Sequence, residues 1–504
     1  MAEALLSSVF PAFLGGLFLS FCLEQLLRPR PAIVGRPLAA LSVHVGIWTL
    51  AFAAELLLMR RPYFAAGNVL ALELVIVVVS NAKRGVLREP FVYSDFEYFL
   101  DAIKHPRLYL PFIGVWAVML PAAAYAVICV AAFRYEGSLL TLPGSATNYA
   151  LLLAAMTVAG LALCVTGRTL RPTFDADRDL RQLGLLACLY AYGRAERQTP
   201  ALVEHSGNAW PDVQPDSEAP DLISIQSESF FDARETYPSL REELLAGFDR
   251  LRGEALMHGT LSVPAWGANT VRSEFAFLCG QTQETLGVHR YNPYRRMATA
   301  TVPSFVRHLK RQGYRTVCVH PYHATFYRRN CVMPILGFDE FVDLDAFGDE
   351  DRQGPYVGDR ALAEKVVAML RRADKRPLYV HVITMENHGP LHWEAVEQED
   401  MAAVARETLP DSCRELVAYA RHLRNADAMF TRIADFLRDH HRAAGLCIYG
   451  DHVPIMADVY RSLGEPEGTT SYLVWHNRSA GEASANSAAL EDLAGLWLRH
   501  CYGC

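Results

Sequence analysis

The chain has 504 residues, 51% of them apolar or aromatic, and a formal net charge of −7. This length exceeds that of one ordinary domain, and an acidic chain without a basic run gives no support for nucleic-acid binding. The first 170 residues are strongly apolar, whereas the rest has the composition of a soluble protein, so a membrane part followed by a globular part is expected.

Five N-terminal segments are long and apolar enough to cross a bilayer, which takes about 20 mostly apolar residues. They cover residues 4–22, 37–59, 62–80, 109–133 and 147–167. Two of them carry an acid. For Glu55, near the end of its span, snorkelling to the interface is the favoured interpretation, while for Glu73 a polar path and snorkelling stay equally open. The sequence predicts a five-helix transmembrane domain over residues 1–170.

Segment 81–108 mixes aromatic and charged side chains, which is typical of an amphipathic element at the membrane interface. Its basic residues are Lys83, Arg84, Arg88, Lys104 and Arg107. The positive-inside rule assigns such a segment to the cytoplasm. With five spans, the same count predicts a cytoplasmic C-terminal domain.

Residues 171–220 are expected to link the two parts. The apolar stretch 183–193 has only 11 residues, too few to span a bilayer, and predicts an interfacial or packing helix. Residues 206–220 are rich in Pro, Asp and Ser, which indicates a domain boundary. The globular domain is therefore expected at 221–504.

From residue 221 onward, short apolar runs alternate with helical patterns. The candidate strands are Leu222–Ile225, Thr316–Val319, Leu378–Ile383, Leu446–Tyr449 and Ser471–Trp475. Between them, residues 415–438 carry an apolar stripe at helical spacing, and residues 303–312 predict a helix that ends at Gly313. This alternation predicts an α/β domain with a mainly parallel central sheet.

Carboxylates and histidines follow four of these strands directly. Glu228 follows the first, His320 the second, His388 the third, and Asp451 with His452 the fourth. The carboxyl ends of parallel strands meet at one edge of a sheet, where ligands bind. Each residue alone has a structural explanation, such as a buried histidine or a helix-capping acid, but their common placement favours a divalent-metal site.

The loop at 263–280 is the candidate source of a nucleophile, since it contains glycine and then turns helical. Thr270 falls where that helix is predicted to begin, so free backbone N–H groups would face an anion there. A hydroxyl coordinated to a metal is an activated nucleophile. A helix N-cap is the alternative role for Thr270, and spacing alone favours that role.

Four short motifs together resemble a known family. SESFFD contains Glu228, GANTVRSEF contains Thr270, MENHGP contains His388, and YGDH ends in Asp451 and His452. In this combination they are similar to the lipoteichoic acid synthase group, the membrane phosphoglycerol transferases of the sulfatase/alkaline phosphatase superfamily. The five spans, the REPFVYSDFEYF segment and the linker resemble that group's architecture as well, so the resemblance extends over nearly the whole chain.

The resemblance implies a sulfatase-like fold for the globular domain and one divalent metal, usually manganese in this group, with magnesium or zinc as alternatives. The implied metal ligands are Glu228, Thr270, Asp451 and His452. Thr270 would also be the catalytic nucleophile that forms a phospho-threonine intermediate. His388 would contact the phosphoryl group or help to protonate the leaving group.

His320 and Arg329 resemble positions that hold the phosphoglycerol head, with Tyr327 where the group has a tryptophan. The implied reaction transfers phosphoglycerol from the membrane lipid phosphatidylglycerol to a glycolipid, a glycerol-phosphate polymer or a glucan of the cell envelope. The group also places its catalytic domain outside the plasma membrane, against the loop-charge count above. The expectation adopted is a multi-pass membrane protein with an extracytoplasmic catalytic domain.

Other functions fit the sequence less well. A phosphoethanolamine transferase would share the fold and the metal chemistry and is the nearest alternative. A sulfatase-like hydrolase is less favoured, because the C-x-P-x-R motif of formylglycine enzymes is absent. From a different class, an inactive membrane scaffold would not need all four types of ligand. A transporter would leave the globular domain unexplained.

Overall fold

The computed structural model describes residues 2–97, 115–141, 145–199, 202, 210–212, 218–297, 302–371, 376–478 and 484–502. The chain divides into two compact units, Met1–Thr199 and Pro200–Cys504. Each unit has hydrophobic clusters of its own.

The N-terminal unit is built from helices. They are α1 (Ala2–Glu24), α2 (Leu38–Met59), α3 (Pro62–Leu87), α4 (Val115–Tyr135), α5 (Ser145–Val165), α6 (Ala176–Leu183) and α7 (Leu185–Ala195). Within the described residues, four stretches are long and apolar enough to cross a membrane, by length and composition. They are Leu6–Glu24, Leu38–Met59, Pro62–Leu87 and Ala146–Thr169. The chain is thus a multi-pass membrane protein.

These stretches match four of the five predicted spans. The fifth, 109–133, begins outside the described residues, and its described part belongs to α4. The predicted interfacial segment 81–108 needs a correction, because α3 continues through 81–87. Charge at this end of α3 is tolerated since Lys83 pairs with Glu89 and with Asp95, each at 2.6 Å. Residues 98–108 of the segment lie outside the described part.

The acids of the predicted spans have different surroundings. Glu55 accepts a 3.0 Å hydrogen bond from Asn68 on the next helix, and Tyr125 donates to the Asn68 amide oxygen at 3.0 Å. Glu55 therefore has a partner inside the helical unit. Glu73 is only 4% exposed. A side chain this buried does not snorkel to the lipid interface. Of the two interpretations of Glu73, the burial therefore favours the polar path inside the helical unit.

Two short helices, α6 and α7, occupy much of the predicted linker. Gly184 separates them with a φ of 80°, a conformation that glycine adopts readily. The Glu24 carboxylate accepts the backbone N–H of Leu185 at 2.7 Å and the Arg36 guanidinium at 2.6 Å. The hydrogen bond from Leu185 ties the start of α7 to the end of α1, and the ion pair with Arg36 balances the charge of the buried Glu24.

A nine-stranded sheet forms the centre of the described C-terminal unit. Its strands are β1 (Asp221–Ser227), β2 (Met257–Ser262), β3 (Arg315–Val319), β4 (Glu340–Val342), β7 (Leu378–Ile383), β8 (Ala444–Gly450), β9 (Thr470–His476), β10 (Ser484–Ala485) and β11 (Ala488–Ala489), while β5 (Arg352–Gln353) and β6 (Tyr356–Val357) form a separate pair. The spatial order is β10-β2-β9-β8-β1-β7-β3-β4, with β11 also on β2. From β8 to β4 the strands are parallel, and β9 is antiparallel to both neighbours.

The predicted strands correspond to β1, β3, β7, β8 and β9, so the mainly parallel α/β sheet is confirmed. The sequence did not indicate β2, because MHGTLS contains glycine and polar residues in place of an apolar run. It did not indicate β4 either, since three residues are too few to show a period. Both strands lie away from the centre of the sheet, where burial on two faces makes the apolar signal strong.

Helices cover both faces of the sheet. They are α8 (Ala233–Thr236), α9 (Ala246–Gly253), α10 (Thr270–Cys279), α11 (Gln283–Leu286), α12 (Tyr294–Met297), α13 (Phe305–Arg311), α14 (Arg329–Leu336), α15 (Asp359–Leu370), α16 (Gln398–Val404), α17 (Arg414–Arg438), α18 (Ala457–Leu463) and α19 (Leu490–Tyr502). The predicted helices at 415–438 and 303–312 are α17 and α13. Alternate residues of β1 enter opposite cores: Ile223 packs in the cluster that contains α17, and Leu222 packs in the one that contains α10.

Candidate active site

The pairing of β1 with β8 brings two predicted metal ligands to one edge of the sheet. Ser227 is in register with Gly450, so Glu228 and Asp451 are the next residues on adjacent parallel strands. A side chain at position 450 would not fit, because a Cβ there would lie 1.7 Å from the carbonyl oxygen of Phe230. Glycine thus lets β8 approach the turn that follows β1.

Glu228, Asp451 and His452 form a buried group whose ligand atoms all lie within 4.8 Å of one another. His452 Nε2 is 3.5 Å from Glu228 Oε1 and 3.4 Å from Asp451 Oδ2. Asp451 Oδ2 and His452 Nε2 are buried and have no hydrogen-bond partner among the described residues. Buried polar atoms are normally satisfied, and a divalent cation would satisfy carboxylate and imidazole ligands together. The three residues can therefore hold a metal.

Ser229 fixes the orientation of this group. Its φ of 54° turns the chain sharply after Glu228. The Ser229 backbone N–H donates to Asp451 Oδ1 at 2.8 Å, and its hydroxyl donates to Glu228 Oε1 at 3.1 Å. On His452, Nδ1 lies 3.2 Å from the Val453 carbonyl oxygen, which can only accept a hydrogen bond. The proton therefore sits on Nδ1, and the lone pair of Nε2 is available to bind a metal.

Electrostatics of the metal-free group also suit a cation. Burial first, and then the negative charge of Asp451, raise the pKa of Glu228 to about 8. Both effects disfavour a second carboxylate charge at this place. A bound cation reverses that balance, because opposite charge favours the ionised carboxylate.

Helix α10 begins at Thr270, as the sequence predicted. The N-cap is Asn269, in the left-handed conformation with a φ of 67°, so the alternative that Thr270 is itself the N-cap is wrong. Thr270 is mostly buried, and its hydroxyl has no hydrogen bond to the described residues. One turn later, the Ser273 hydroxyl donates to the carbonyl oxygen of Asp451 at 2.6 Å. This contact holds the first turn of α10 against Asp451, a predicted metal ligand.

His388 lies beyond the end of β7. Its Nδ1 is 2.8 Å from the Gly389 carbonyl oxygen and 3.3 Å from the Tyr356 hydroxyl. Because the carbonyl only accepts, Nδ1 carries a proton and Nε2 of the neutral ring is an acceptor. Burial lowers the pKa of His388 below its usual value. The ring is thus able to take a proton at Nε2 and to return it.

His320 and Arg329 are brought together, but His320 has both ring nitrogens engaged within the protein. Arg329 Nη1 donates to His320 Nε2 at 3.1 Å, and His320 Nδ1 lies 3.3 Å from the Ile383 carbonyl oxygen. The Tyr327 ring, at the position where a tryptophan was expected, lies 5.3 Å from the guanidinium carbon. Of the two predicted substrate-binding residues, Arg329 is the one with donors left for a ligand.

Sequence reasoning missed the residues that support these side chains. Thr384 accepts the backbone N–H of Glu228 at 2.9 Å, and Asn387 donates to the Glu228 carbonyl oxygen at 3.3 Å. Glu274 pairs with Arg329 at 2.8 Å. A signal for Glu274 was present, since an acid four residues after Thr270 lies within the apolar helix TVRSEFAFLC. For Thr384 and Asn387 only the sheet register reveals the contact.

Comparison with known proteins places the C-terminal unit in a family. A sulfatase family model matches residues 220–503, more than half of the chain. The capsular polysaccharide biosynthesis protein RkpI of Rhizobium meliloti is 28% identical over 477 residues, which cover 90% of this chain and 85% of that protein. Lipoteichoic acid synthase 1 of Bacillus subtilis is 24% identical over 160 residues, covering 31% of this chain and 24% of that protein.

The last of these matches corrects the expectation that the resemblance to lipoteichoic acid synthases extends over nearly the whole chain. Similarity over nearly the whole chain is found instead with a solved structure. The integral membrane lipooligosaccharide phosphoethanolamine transferase A of Neisseria meningitidis aligns with a TM-score of 0.59 at 12% identity, covering 97% of this chain and 96% of that one. The chain combines membrane helices with a mainly parallel sheet and a buried Glu-Asp-His group. By its match over residues 220–503, it belongs to the sulfatase family.

Proposed function

We propose that this protein is a metal-dependent transferase that moves phosphoglycerol from phosphatidylglycerol to a polysaccharide or glycolipid of the cell envelope. The observation that carries the proposal is the buried group of Glu228, Asp451 and His452 next to the helix that begins at Thr270. Membrane-spanning helices in the same chain suit a lipid donor. The sequence resemblance to phosphoglycerol transferases supports this head group.

The proposed metal ligands are Glu228, Asp451, His452 and the Thr270 hydroxyl, and manganese is the proposed ion. When bound, the cation supplies Lewis acidity that neutralises phosphoryl oxygens and activates the hydroxyl. The protein contributes a fixed and dry setting. Ser229 orients Glu228 and Asp451, and the carbonyl of Val453 selects the His452 tautomer that leaves Nε2 free.

Transfer takes place in two displacements. In the first, Thr270 Oγ forms a bond to phosphorus, and the bond between phosphorus and the diacylglycerol oxygen breaks. The proton of the Thr270 hydroxyl, taken up first by Nε2 of the neutral His388 ring, passes to that oxygen, so diacylglycerol leaves and phosphoglycerol remains on Thr270. In the second, an acceptor hydroxyl attacks phosphorus and His388 Nε2 takes its proton. The bond between Thr270 Oγ and phosphorus breaks, and His388 returns the proton to Oγ, which regenerates the hydroxyl. Arg329 holds the phosphoryl oxygens during both steps.

A sugar acceptor is supported by aromatic side chains beside His388. The ring of Tyr356 lies 5.6 Å from the His388 ring and 6.5 Å from that of Tyr322. Such flat apolar faces with polar edges suit stacking on a sugar ring. A polysaccharide acceptor also agrees with the name of the relative RkpI, a capsular polysaccharide biosynthesis protein.

The proposed location of the catalytic unit is outside the plasma membrane. The loop-charge count opposes this location, but part of the counted charge is already compensated: Lys83 pairs with Glu89 and Asp95. The proposal gives more weight to the resemblance, since the membrane phosphoglycerol transferases have their catalytic domain outside the membrane. A reporter enzyme fused at the C-terminus should be active only on the extracytoplasmic side, and a cytoplasmic signal would contradict the location.

A phosphoethanolamine transferase is the second candidate, because the solved fold that spans 97% of this chain is such an enzyme. The two functions are separated by the donor. The purified full chain with Mn²⁺ is given vesicles that contain either phosphatidylglycerol or phosphatidylethanolamine, and diacylglycerol release is measured. We expect release from phosphatidylglycerol, which requires Thr270. Release from phosphatidylethanolamine alone would favour the second candidate, and release from neither would favour an inactive scaffold.

A further inference from the structure

Glu274 lies on α10, four residues after Thr270, and is completely buried. Its Oε2 accepts a 2.8 Å hydrogen bond from Arg329 Nη2, and Arg329 Nε lies 3.2 Å from the same oxygen. The Tyr294 hydroxyl donates to Glu274 Oε1 at 2.5 Å. Both carboxylate oxygens therefore accept hydrogen bonds, and Glu274 binds the guanidinium along its Nε and Nη2 side.

His320 supports the other end of the guanidinium. Arg329 is 1% exposed, and its Nη1 donates to His320 Nε2 at 3.1 Å. A guanidinium cannot accept a hydrogen bond, so this histidine is neutral and carries its proton on Nδ1, which donates to the Ile383 carbonyl oxygen. Burial, together with the charge of Arg329, holds the pKa of His320 well below its usual value.

These contacts leave the arginine with unused donors. Of its five N–H groups, the contacts to Glu274 use one on Nε and one on Nη2, and the contact to His320 uses one on Nη1. One N–H on each of Nη1 and Nη2 has no partner among the described residues. Two N–H groups on a planar and rigid frame suit the oxygens of a phosphate.

We propose that Glu274 is a positioning residue, which aims the two remaining N–H groups of Arg329 at the phosphoryl group attacked by Thr270. Because Glu274 and Thr270 belong to the same helix, the carboxylate couples the position of the arginine to that of the nucleophile. Removal of the carboxylate would also leave the buried arginine charge unpaired, which strongly destabilises the folded protein. The inference rests on the proposed function in one respect, namely that a phosphate occupies the space beside Arg329.

The test uses binding of inorganic phosphate to the full chain, purified in detergent and loaded with Mn²⁺. Wild type, Glu274→Gln, Arg329→Lys and the double variant are compared. We expect Glu274→Gln to weaken phosphate binding by about 10-fold or more, since charge-assisted hydrogen bonds are lost. The double variant should bind phosphate no more weakly than Arg329→Lys alone, because Glu274 acts through the arginine.

A matched control is Asp249→Asn, which removes a carboxylate that pairs with Arg234 at 2.7 Å and has no part in the site. It should bind phosphate as wild type does. If Glu274→Gln fails to fold, Tyr294→Phe removes one donor to Glu274 Oε1 and should weaken binding by a smaller factor, but only when Arg329 is present.

Three results would overturn the inference: unchanged phosphate binding by Glu274→Gln, multiplicative losses in the double variant, or no phosphate binding by the wild type. The outcome is separate from that of the donor assay. A chain that shows the expected coupling between Glu274 and Arg329, yet releases no diacylglycerol from phosphatidylglycerol, would contradict the proposed donor and leave the role of Glu274 intact.

Discussion

The hydroxyl of Ser273 donates a 2.6 Å hydrogen bond to the main-chain carbonyl oxygen of Asp451. Ser273 is completely buried, one turn into the helix that begins at Thr270, and Asp451 directly follows β8. One contact therefore joins the helix that carries the proposed nucleophile to the strand end that carries a proposed metal ligand. The contact uses the Ser273 side chain and the Asp451 main chain, so the side chains of Thr270 and Asp451 take no part in it.

Ser273→Ala removes this contact while leaving the proposed ligands in place. We expect a loss of about 1 kcal/mol in the free energy of unfolding, typical of a buried hydrogen bond. Turnover should fall roughly fivefold if the same energy is lost in the transition state. Bound metal should be unchanged. Ser262→Ala, at an exposed position of β2, is the control and should affect neither quantity. Full turnover by Ser273→Ala would show that the contact is not needed for alignment.

Asp451→Asn should remove the bound metal. The variant keeps the size of the side chain but loses the negative charge that would attract the cation. In the wild type, Asp451 Oδ2 is a buried atom without a hydrogen-bond partner among the described residues. We expect affinity for Mn²⁺ to fall by far more than the roughly 10–100-fold typical of residues that only support a ligand. Metal content by elemental analysis of the purified chain is the measurement. Asp435→Asn, which removes one of the exposed acids, is the control. Equal metal content in Asp451→Asn and wild type would sink the ligand assignment.

The raised pKa of Glu228 gives the metal-free protein a characteristic pH dependence. In the fold this pKa is about 8, above the ordinary value of 4.5, so the folded chain keeps a proton that the unfolded chain releases. The contribution of this proton to the free energy of unfolding is fully present below pH 4.5 and is lost as pH rises through 8. Its slope is at most about 1.4 kcal/mol per pH unit.

Melting of the metal-free chain, followed from pH 5 to pH 9, measures this effect. Wild type should melt at a progressively lower temperature as pH rises across that interval. Glu228→Gln has no titrating group here and should lose much less. Saturating Mn²⁺ should reverse the trend, because the ionised carboxylate is then the favoured form. Parallel curves for wild type and Glu228→Gln would contradict the assignment.

The sequence could predict that the proposed metal ligands at the strand ends lie together because of a simple regularity. Glu228 and Asp451 each follow an apolar run that is recognisable as a buried strand, and parallel strands bring their ends together. Glu274 was not predicted, because its partner Arg329 is 55 residues away in sequence. No sequence periodicity connects α10 with the start of α14, so that pairing becomes visible only in three dimensions.

Thr270→Ala should abolish transfer and leave the fold and the metal group in place. Thr270 is the first residue of its helix, with Asn269 as the N-cap, so loss of its hydroxyl does not remove a cap. Any structural cost should therefore be below the roughly 1 kcal/mol typical of cap removal. Losing a catalytic nucleophile typically costs a factor of about 10³ or more in turnover. Thr270→Ser keeps a hydroxyl at this position and should retain measurable transfer, which makes it the matched variant.

The intermediate itself can be sought on this residue. Wild type is mixed with phosphatidylglycerol in the absence of acceptor, quenched in acid and digested, and the peptide that contains Thr270 is examined by mass spectrometry. We expect a phosphoglycerol adduct on Thr270 in wild type, a serine adduct in Thr270→Ser and none in Thr270→Ala. The hydroxyl has no hydrogen bond to the described residues, so we expect it to need the bound cation for activation and expect chelation to abolish the adduct. Substantial transfer by Thr270→Ala would rule out the covalent route and leave direct attack by the acceptor as the mechanism.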